Sequence, residues 1–214
     1  MLPTISKVFE KLLCNQFNTF IEKKLSPSLC GFRKGYSTQH ALLDMLNKWQ
    51  SALNDKGKVG AILMDLSKAF DCLPHNLLIA KLGAYGIGKK SLKFIQSYLN
   101  NRKHRVKIGS HFSTWATSNV GVPQGSIWGP TFFNVFINDL ILMIVLCDIC
   151  NFADDNSLYA IDKELRNVIK KLLHDLDIAL EWFKNNEMVA NPEKFQVIFP
   201  NSNLNLGIHI NGKL

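Results

Sequence analysis

The chain has 214 residues, 47% of them hydrophobic and 20% charged, which is enough to bury a core as one domain or two close subdomains and argues against disorder as the dominant state. A formal net charge of +8 suits a polyanionic partner, since each phosphate neutralised by Lys or Arg releases counterions. Five cysteines, an odd number in mostly apolar surroundings, speak for free thiols in a reducing compartment and against a disulfide framework.

In chain order, Lys7 to Leu25 reads as an amphipathic helix with Ser6 as its cap. Val8, Phe9, Leu12, Leu13, Phe17, Phe20 and Ile21 keep the helical period, and Pro27 ends the pattern. A loop holding Gly31, Arg33, Lys34 and Gly35 leads to a second helix capped by Ser37 or Thr38. Its shared face is Leu42, Met45, Leu46, Trp49 and Leu53. Val59 to Met64 is a short apolar run, read as a buried strand that ends in Asp65. Pro74 opens a helix through Leu82, and Ser91 caps another to about Leu99. Arg105 to Ile108 and Phe112 to Val120 form the arms of a hairpin around Gly109-Ser110. Pro130 starts a Phe-rich helix. Asp148 to Ala160 reads as strand, tight turn at Ala153 to Asp155, strand. Asp162 caps a long helix through Phe183. Gln196 to Phe199 is a strand, and Leu204 to Ile210 alternates as a last one. Helices mixed with mostly antiparallel strands give an α+β class.

No segment is long and apolar enough for a membrane helix, which needs ~20 residues, and no signal pattern opens the chain. A soluble intracellular protein is the expectation. Cys147 and Cys150 make a C-x-x-C without a second pair, which is read as ordinary burial rather than a zinc or redox site.

Three carboxylates stand out. Asp65 follows a buried apolar strand, where an acid is costly unless something positive pairs with it. Asp154 and Asp155 occupy the turn of a hairpin. Carboxylates on neighbouring strands can hold the two Mg²⁺ ions of phosphoryl transfer, about 4 Å apart. Alone, an Asp pair in a turn is usually just a turn. Between the acids lies Gly121-Val122-Pro123-Gln124-Gly125-Ser126, then Gly129-Pro130, a loop shaped for close backbone approach to a ligand.

These residues carry a resemblance. Met64 to Asp71, Gly121 to Pro130 and Phe152 to Asp155 resemble motifs A, B and C of reverse transcriptases, most nearly those of non-LTR retrotransposons of the LINE type. Gly31 to Thr38 looks like their fingers motif, and Met188 to Phe199 is similar to their motif D. The resemblance implies a right-hand polymerase palm, its antiparallel sheet packed on helices, with partial fingers. Residues 1–58 would be fingers, 59–72 the palm strand of motif A, 73–124 a fingers-like insertion, and 125–214 palm. It implies an RNA-directed DNA polymerase acting on an RNA template, a DNA primer and deoxynucleotides. Two Mg²⁺ ions, with Mn²⁺ as a substitute, would be held by Asp65, Asp154, Asp155 and the backbone carbonyl of Leu66. Phe70, Gln124, Gly125 and Lys194 would bind the nucleotide, Phe70 as a bar to a ribose 2′-hydroxyl and Lys194 as a general acid. Arg33, Lys34, Gly121 and Pro123 would meet template or primer. Trp128 and Asn156 depart from the family's usual Leu and Thr. The chain would be a fragment of a longer polyprotein that also carries endonuclease and thumb. A template-primer-binding relic without turnover and a group II intron maturase remain open. An RNA-dependent RNA polymerase is disfavoured by Phe70.

Overall fold

A computed structural model describes residues 4–200; the alternating segment Leu204 to Ile210 lies outside the described residues. The elements are α1 (Thr4–Ile21), α2 (Thr38–Asn54), β1 (Lys58–Met64), α3 (His75–Ala84), α4 (Lys89–Leu99), β2 (Arg102–His104), β3 (Lys107–Ile108), β4 (His111–Phe112), β5 (Ala116–Ser118), α5 (Trp128–Met143), β6 (Asp148–Phe152), β7 (Asp155–Asp162), α6 (Leu165–Asn185) and β8 (Gln196–Ile198). The class is α+β, and all strand pairings in the named sheets are antiparallel. The chain forms two units. One comprises residues 1–24 and 68–136, the other 25–67 and 137–214.

The second unit holds a four-stranded sheet in the order β6-β7-β1-β8. After the exposed Lys58, β1 is apolar from Val59 to Met64 because both its faces are covered, which an antiparallel strand with one wet face would not be. Val59 and Ala61 pack with Trp49 of α2 and Tyr159 of β7. On the other face, a side chain at Gly60 would run into Val168 and Leu172 of α6. The buried residues of α6 are Val168, Leu172, Asp175, Leu176, Ala179, Trp182 and Phe183; of the face that the helical period gives, Leu165, Ile169, Leu172, Leu176 and Trp182, the last three are buried, while Leu165 and Ile169 are only half-buried.

The first unit pairs β2 with β5 and β3 with β4, and packs α3 on α4. The expected single hairpin is thus two short ladders, the inner one closing around Gly109-Ser110. Its core is aromatic. Trp128 is buried among Phe17, Phe94, Tyr98 and Phe132, with ring centroids 5.0 to 6.1 Å away. The indole is therefore accommodated by a cluster of rings.

Several expectations need correction. α1 starts at Thr4 rather than Lys7, and a 3₁₀ turn Glu22–Lys24 follows it. Of its predicted core face, Val8, Phe9, Leu12 and Phe20 are exposed, Leu13 and Phe17 are half-buried and Ile21 is buried; Glu10 and Cys14, not read as core, are buried as well. In α2, Ser37 caps as expected through the His40 amide, and Trp49 with half-buried Met45 and Leu53 faces the core as read; Ala41 is buried too, but Leu42 and Leu46 are exposed. α4 begins after Gly88, ahead of Ser91. α5 begins at Trp128, which leaves Pro130 in the first turn, where its missing N–H costs nothing. Asp162 does not cap α6; its carboxylate accepts from Lys171, Asn167 and the Glu164 amide.

Candidate active site

In the second unit, the β1–β7 ladder ends with Met64 opposite Asn156. One step beyond that last rung stand Asp65 and Asp155. β6 and β7 are joined by Ala153 and Asp154 alone, since Phe152 already pairs with Asp155. The tight reversal puts Ala153 at φ 59°, a left-handed conformation that costs an L-residue roughly 1–2 kcal/mol. Two buried asparagines hold the turn. Asn151 donates to the Ala153 carbonyl at 2.8 Å and to the Asn156 side-chain oxygen at 2.9 Å, and Asn156 donates to the Asp154 carbonyl at 3.0 Å. Asn156 is thus a working part of the turn. The signal in the sequence was an asparagine on each side of the Asp pair.

The acids feel one another. Burial pushes the Asp155 carboxyl up, and the charges of Asp154 and Asp65 push it further. Lys194 lies across from them, its Nζ 3.2 Å from an Asp65 carboxylate oxygen. The segment that carries Lys194 is fixed by the backbone: the Asn191 amide donates to the Asp65 carbonyl and the Ser67 amide to the Val189 carbonyl. Leu66 bridges Ala190 between those two bonds, so its own carbonyl is left out of them.

Among the described residues, no three His, Cys, Asp or Glu side chains converge as a ready metal-holding group. The donor chemistry nonetheless fits a hard divalent cation. The turn and strand end supply carboxylate oxygens, which such ions prefer, and the mutual repulsion that raises Asp155 is what a cation would relieve.

The loop before α2 is bound to the same turn. Cys30 donates to the Asn151 carbonyl at 2.9 Å, and Asn151 donates back to Ser28 at 3.0 Å. Gly31 sits so close to Ala153 that a Cβ would collide with its backbone nitrogen. Arg33 donates from one guanidinium nitrogen to the carbonyls of Ser26 and Leu29, at 2.6 and 2.9 Å, and stacks on Tyr36. Much of its donor capacity is thereby used to shape its own loop. Lys34 is exposed.

The first unit holds Phe70, Gln124, Gly121, Pro123 and Gly125. The Val122 amide donates to the Phe70 carbonyl at 2.9 Å and the Gly121 amide to Leu73 at 2.7 Å. Gly121 has φ 79° and faces the Asp71 backbone so closely that no side chain would fit. The Phe70 ring stacks on buried Phe133 at 4.6 Å. Gln124 is exposed, and its amide is 3.5 Å from an Asp71 carboxylate oxygen, a weak bond. Gln124, Pro123 and Gly121 line a cleft of about 590 Å³ with His75, Arg102, Lys103 and His104. Sequence reading missed Glu10. It is buried, accepts from the Tyr98 hydroxyl at 2.6 Å and from the Ile127 amide at 2.8 Å, and so anchors the end of the glycine-rich loop to α1.

All five cysteines are free. Burial and neighbouring Cys30 push the Cys150 thiol up to about 11, and burial with the Asp175 charge raises Cys147 further. Both therefore stay as thiols, the unreactive and poorly ligating form.

The family described as "Reverse transcriptase (RNA-dependent DNA polymerase)" matches residues 1–210. Among curated proteins, the chain is 28% identical to a probable RNA-directed DNA polymerase from transposon BS of Drosophila melanogaster, over 91% of this chain and 22% of that protein. It is 27% identical to the RNA-directed DNA polymerase from mobile element jockey of the same fly, over 100% of this chain and 24% of that protein. The chain thus spans about a quarter of the length of these relatives. Among solved structures, apo telomerase from Candida tropicalis truncated from its C-terminal domain shares the fold. Its TM-score is 0.67 at 14% identity, over 92% of this chain and 41% of that one. The telomerase of the same yeast in complex with a TWJ fragment of telomeric RNA matches with a TM-score of 0.64 at 16% identity, over 94% and 34%.

Proposed function

Because this chain belongs to the reverse transcriptase (RNA-dependent DNA polymerase) family, we propose that it is the polymerising core of a retrotransposon enzyme, extending a DNA primer on an RNA template with deoxynucleotides. The observation that carries the reading is the placement of Asp65 and Asp155 one step past the last rung of the β1–β7 ladder, with Asp154 in the adjoining turn. Those three carboxylates, with the Leu66 carbonyl, would hold the divalent metal. Two Mg²⁺ ions, or Mn²⁺ in their stead, would make the primer 3′-hydroxyl a better nucleophile and neutralise the departing pyrophosphate.

The protein's own groups would do the positioning. Phe70, its ring fixed against Phe133, would leave no room for a ribose 2′-hydroxyl. Gln124 and Gly125 would line the nucleotide site, and Gly121 and Pro123 would meet the template or primer strand. Lys194, whose ammonium reaches Asp65, would pass a proton to the leaving pyrophosphate. Lys34 and Arg33 would face the template. The segments 59–72 and 125–214 would be palm, 1–58 fingers and 73–124 a fingers-like insertion. Endonuclease and thumb would be parts of the longer protein.

A second reading, template-primer binding without turnover, draws on the Lys194–Asp65 ion pair. Mg²⁺-dependent extension of a DNA primer on an RNA template separates the two. Extension that requires Asp154, and disappears in Asp154→Asn, supports catalysis. Extension that survives that substitution sinks the metal assignment, and none from the wild-type chain favours the second reading.

A further inference from the structure

From Cys72 to Asn138 the chain has no Asp or Glu, yet it carries eight Lys and Arg; elsewhere 17 basic residues meet 17 acids. The whole net charge of +8 therefore resides in this one stretch. Where it folds into the β3–β4 ladder, the cations lie over aromatic rings. The Arg105 guanidinium is 3.9 Å from the Phe112 ring centroid and 4.5 Å from that of Trp115, and Lys107 is over Phe112 at 5.4 Å. These rings are not core residues: Phe112 is 50% exposed and Trp115 60%. The other three tryptophans are 8% exposed or less. Ser113 pins the segment by exchanging hydrogen bonds with Val106 at 2.9 and 3.0 Å. Next along the chain, Arg102, Lys103 and His104 line the cleft that also holds Gln124.

Two large half-exposed rings side by side, with cations over them, form an apolar and positive patch of the kind that marks an interaction site. A single-stranded nucleic acid offers what this surface lacks: flat unpaired bases for the rings and phosphates for the cations. We propose that the Arg105–Phe112–Trp115 stack is a platform for unpaired bases, with Lys103 in the adjoining cleft taking a phosphate. The assignment rests on this charge and ring arrangement and does not need the catalytic reading.

Trp115 reports on its own site. Titrating the full chain with a 12-nucleotide single-stranded RNA, a DNA of the same sequence, and the corresponding duplex should quench Trp115 fluorescence with a single strand and more weakly with the duplex. The tighter of the two single strands identifies the ligand as template RNA or as DNA. In Trp115→Leu or Phe112→Ala, affinity measured by anisotropy of a labelled strand should fall about tenfold, the loss typical of one stacked base. Lys103→Gln should instead lower the salt slope by about one phosphate contact. Circular dichroism confirms that the variants fold. Affinities unchanged by both ring variants, preference for the duplex, or no binding of either strand would each overturn the platform. Primer extension in the same preparations tells the readings apart: extension that is intact while the ring variants do nothing refutes the platform only.

Discussion

The second unit keeps its acids on a rigid ladder, and the first keeps its cations on short, exposed ladders and helix surfaces. The division is marked in numbers: 13 Lys and Arg against 3 acids in the first unit, 12 against 14 in the second. The physical demands differ. Carboxylates that repel one another, as Asp155 is pushed up first by burial and then by Asp154 and Asp65, have to be held by backbone that cannot yield. The β1–β7 ladder and the two buried asparagines provide that. Cations that meet a polyanion can remain solvated until contact, so a two-residue strand such as β3 suffices.

The largest effect that would break this comparison is on catalysis. Asp65→Asn should reduce primer extension by about 10³-fold or more, the several kcal/mol that a held metal supplies, while leaving single-strand binding by the first unit within a factor of two or so. Equal loss of binding and extension in a quantitative titration would show that the acids and cations do not act separately. Next in size are the two buried acids that serve structure, one per unit. Asp175 is fully buried and accepts from the amides of Val145, Leu146 and Cys147 and from His174; Glu10 accepts two bonds. Asp175→Ala should cost about 3 kcal/mol in urea unfolding and Glu10→Ala about 2, because each orphaned buried donor costs roughly 1 kcal/mol or more. Equal costs would contradict the bond count. Burial opposes the Asp175 charge, but bonds from His174 and the Cys147 and Leu146 amides outweigh it and hold the carboxyl below its ordinary value. Its contribution is therefore present above the unfolded value near 4 and is lost as pH falls through the lower folded value.

Phe70→Ala comes third. It should raise ribonucleotide incorporation about tenfold relative to deoxynucleotides, in side-by-side extension assays, since a ring excluding one hydroxyl discriminates modestly. An unchanged ratio would reduce Phe70 to a partner of Phe133. The smallest effect is on stability at the acid cluster. Asp155 has a raised carboxyl value in the folded chain, so its ionised form costs stability as pH rises through that value. Asp155→Asn should thus be slightly more stable than the wild type at pH 7, with the gain vanishing near pH 4. A gain that persists at pH 3 would point to another cause.

Much of this was legible in order along the chain. The acids, the glycine-rich loop and the element types were, because strand and helix periods and turn chemistry are local. The boundaries shifted where a cap lay elsewhere than the nearest Ser or Asp, as at Gly88 before α4. The faces of α1 and α2 were less legible. A helical period states that apolar residues align, not which side the rest of the unit covers, and Val8, Leu12, Leu42 and Leu46 ended up outside. Glu10 was invisible for a similar reason. A buried polar side chain is explained by its partner, and the partner of Glu10 on the loop is 117 residues away.

By itself the sequence determined which residues carry charge at the strand ends and turns, and that their order resembles a polymerase, since both depend on near neighbours. Only the tertiary structure decided how those charges are used. It set Asp65 beside Asp155 at the end of a shared ladder. It gave part of Arg33's donors to two carbonyls of its own loop. It brought Arg105 over two exposed rings. Each of these is a pairing energy between groups brought together by the fold, and periodicity along a chain does not encode it.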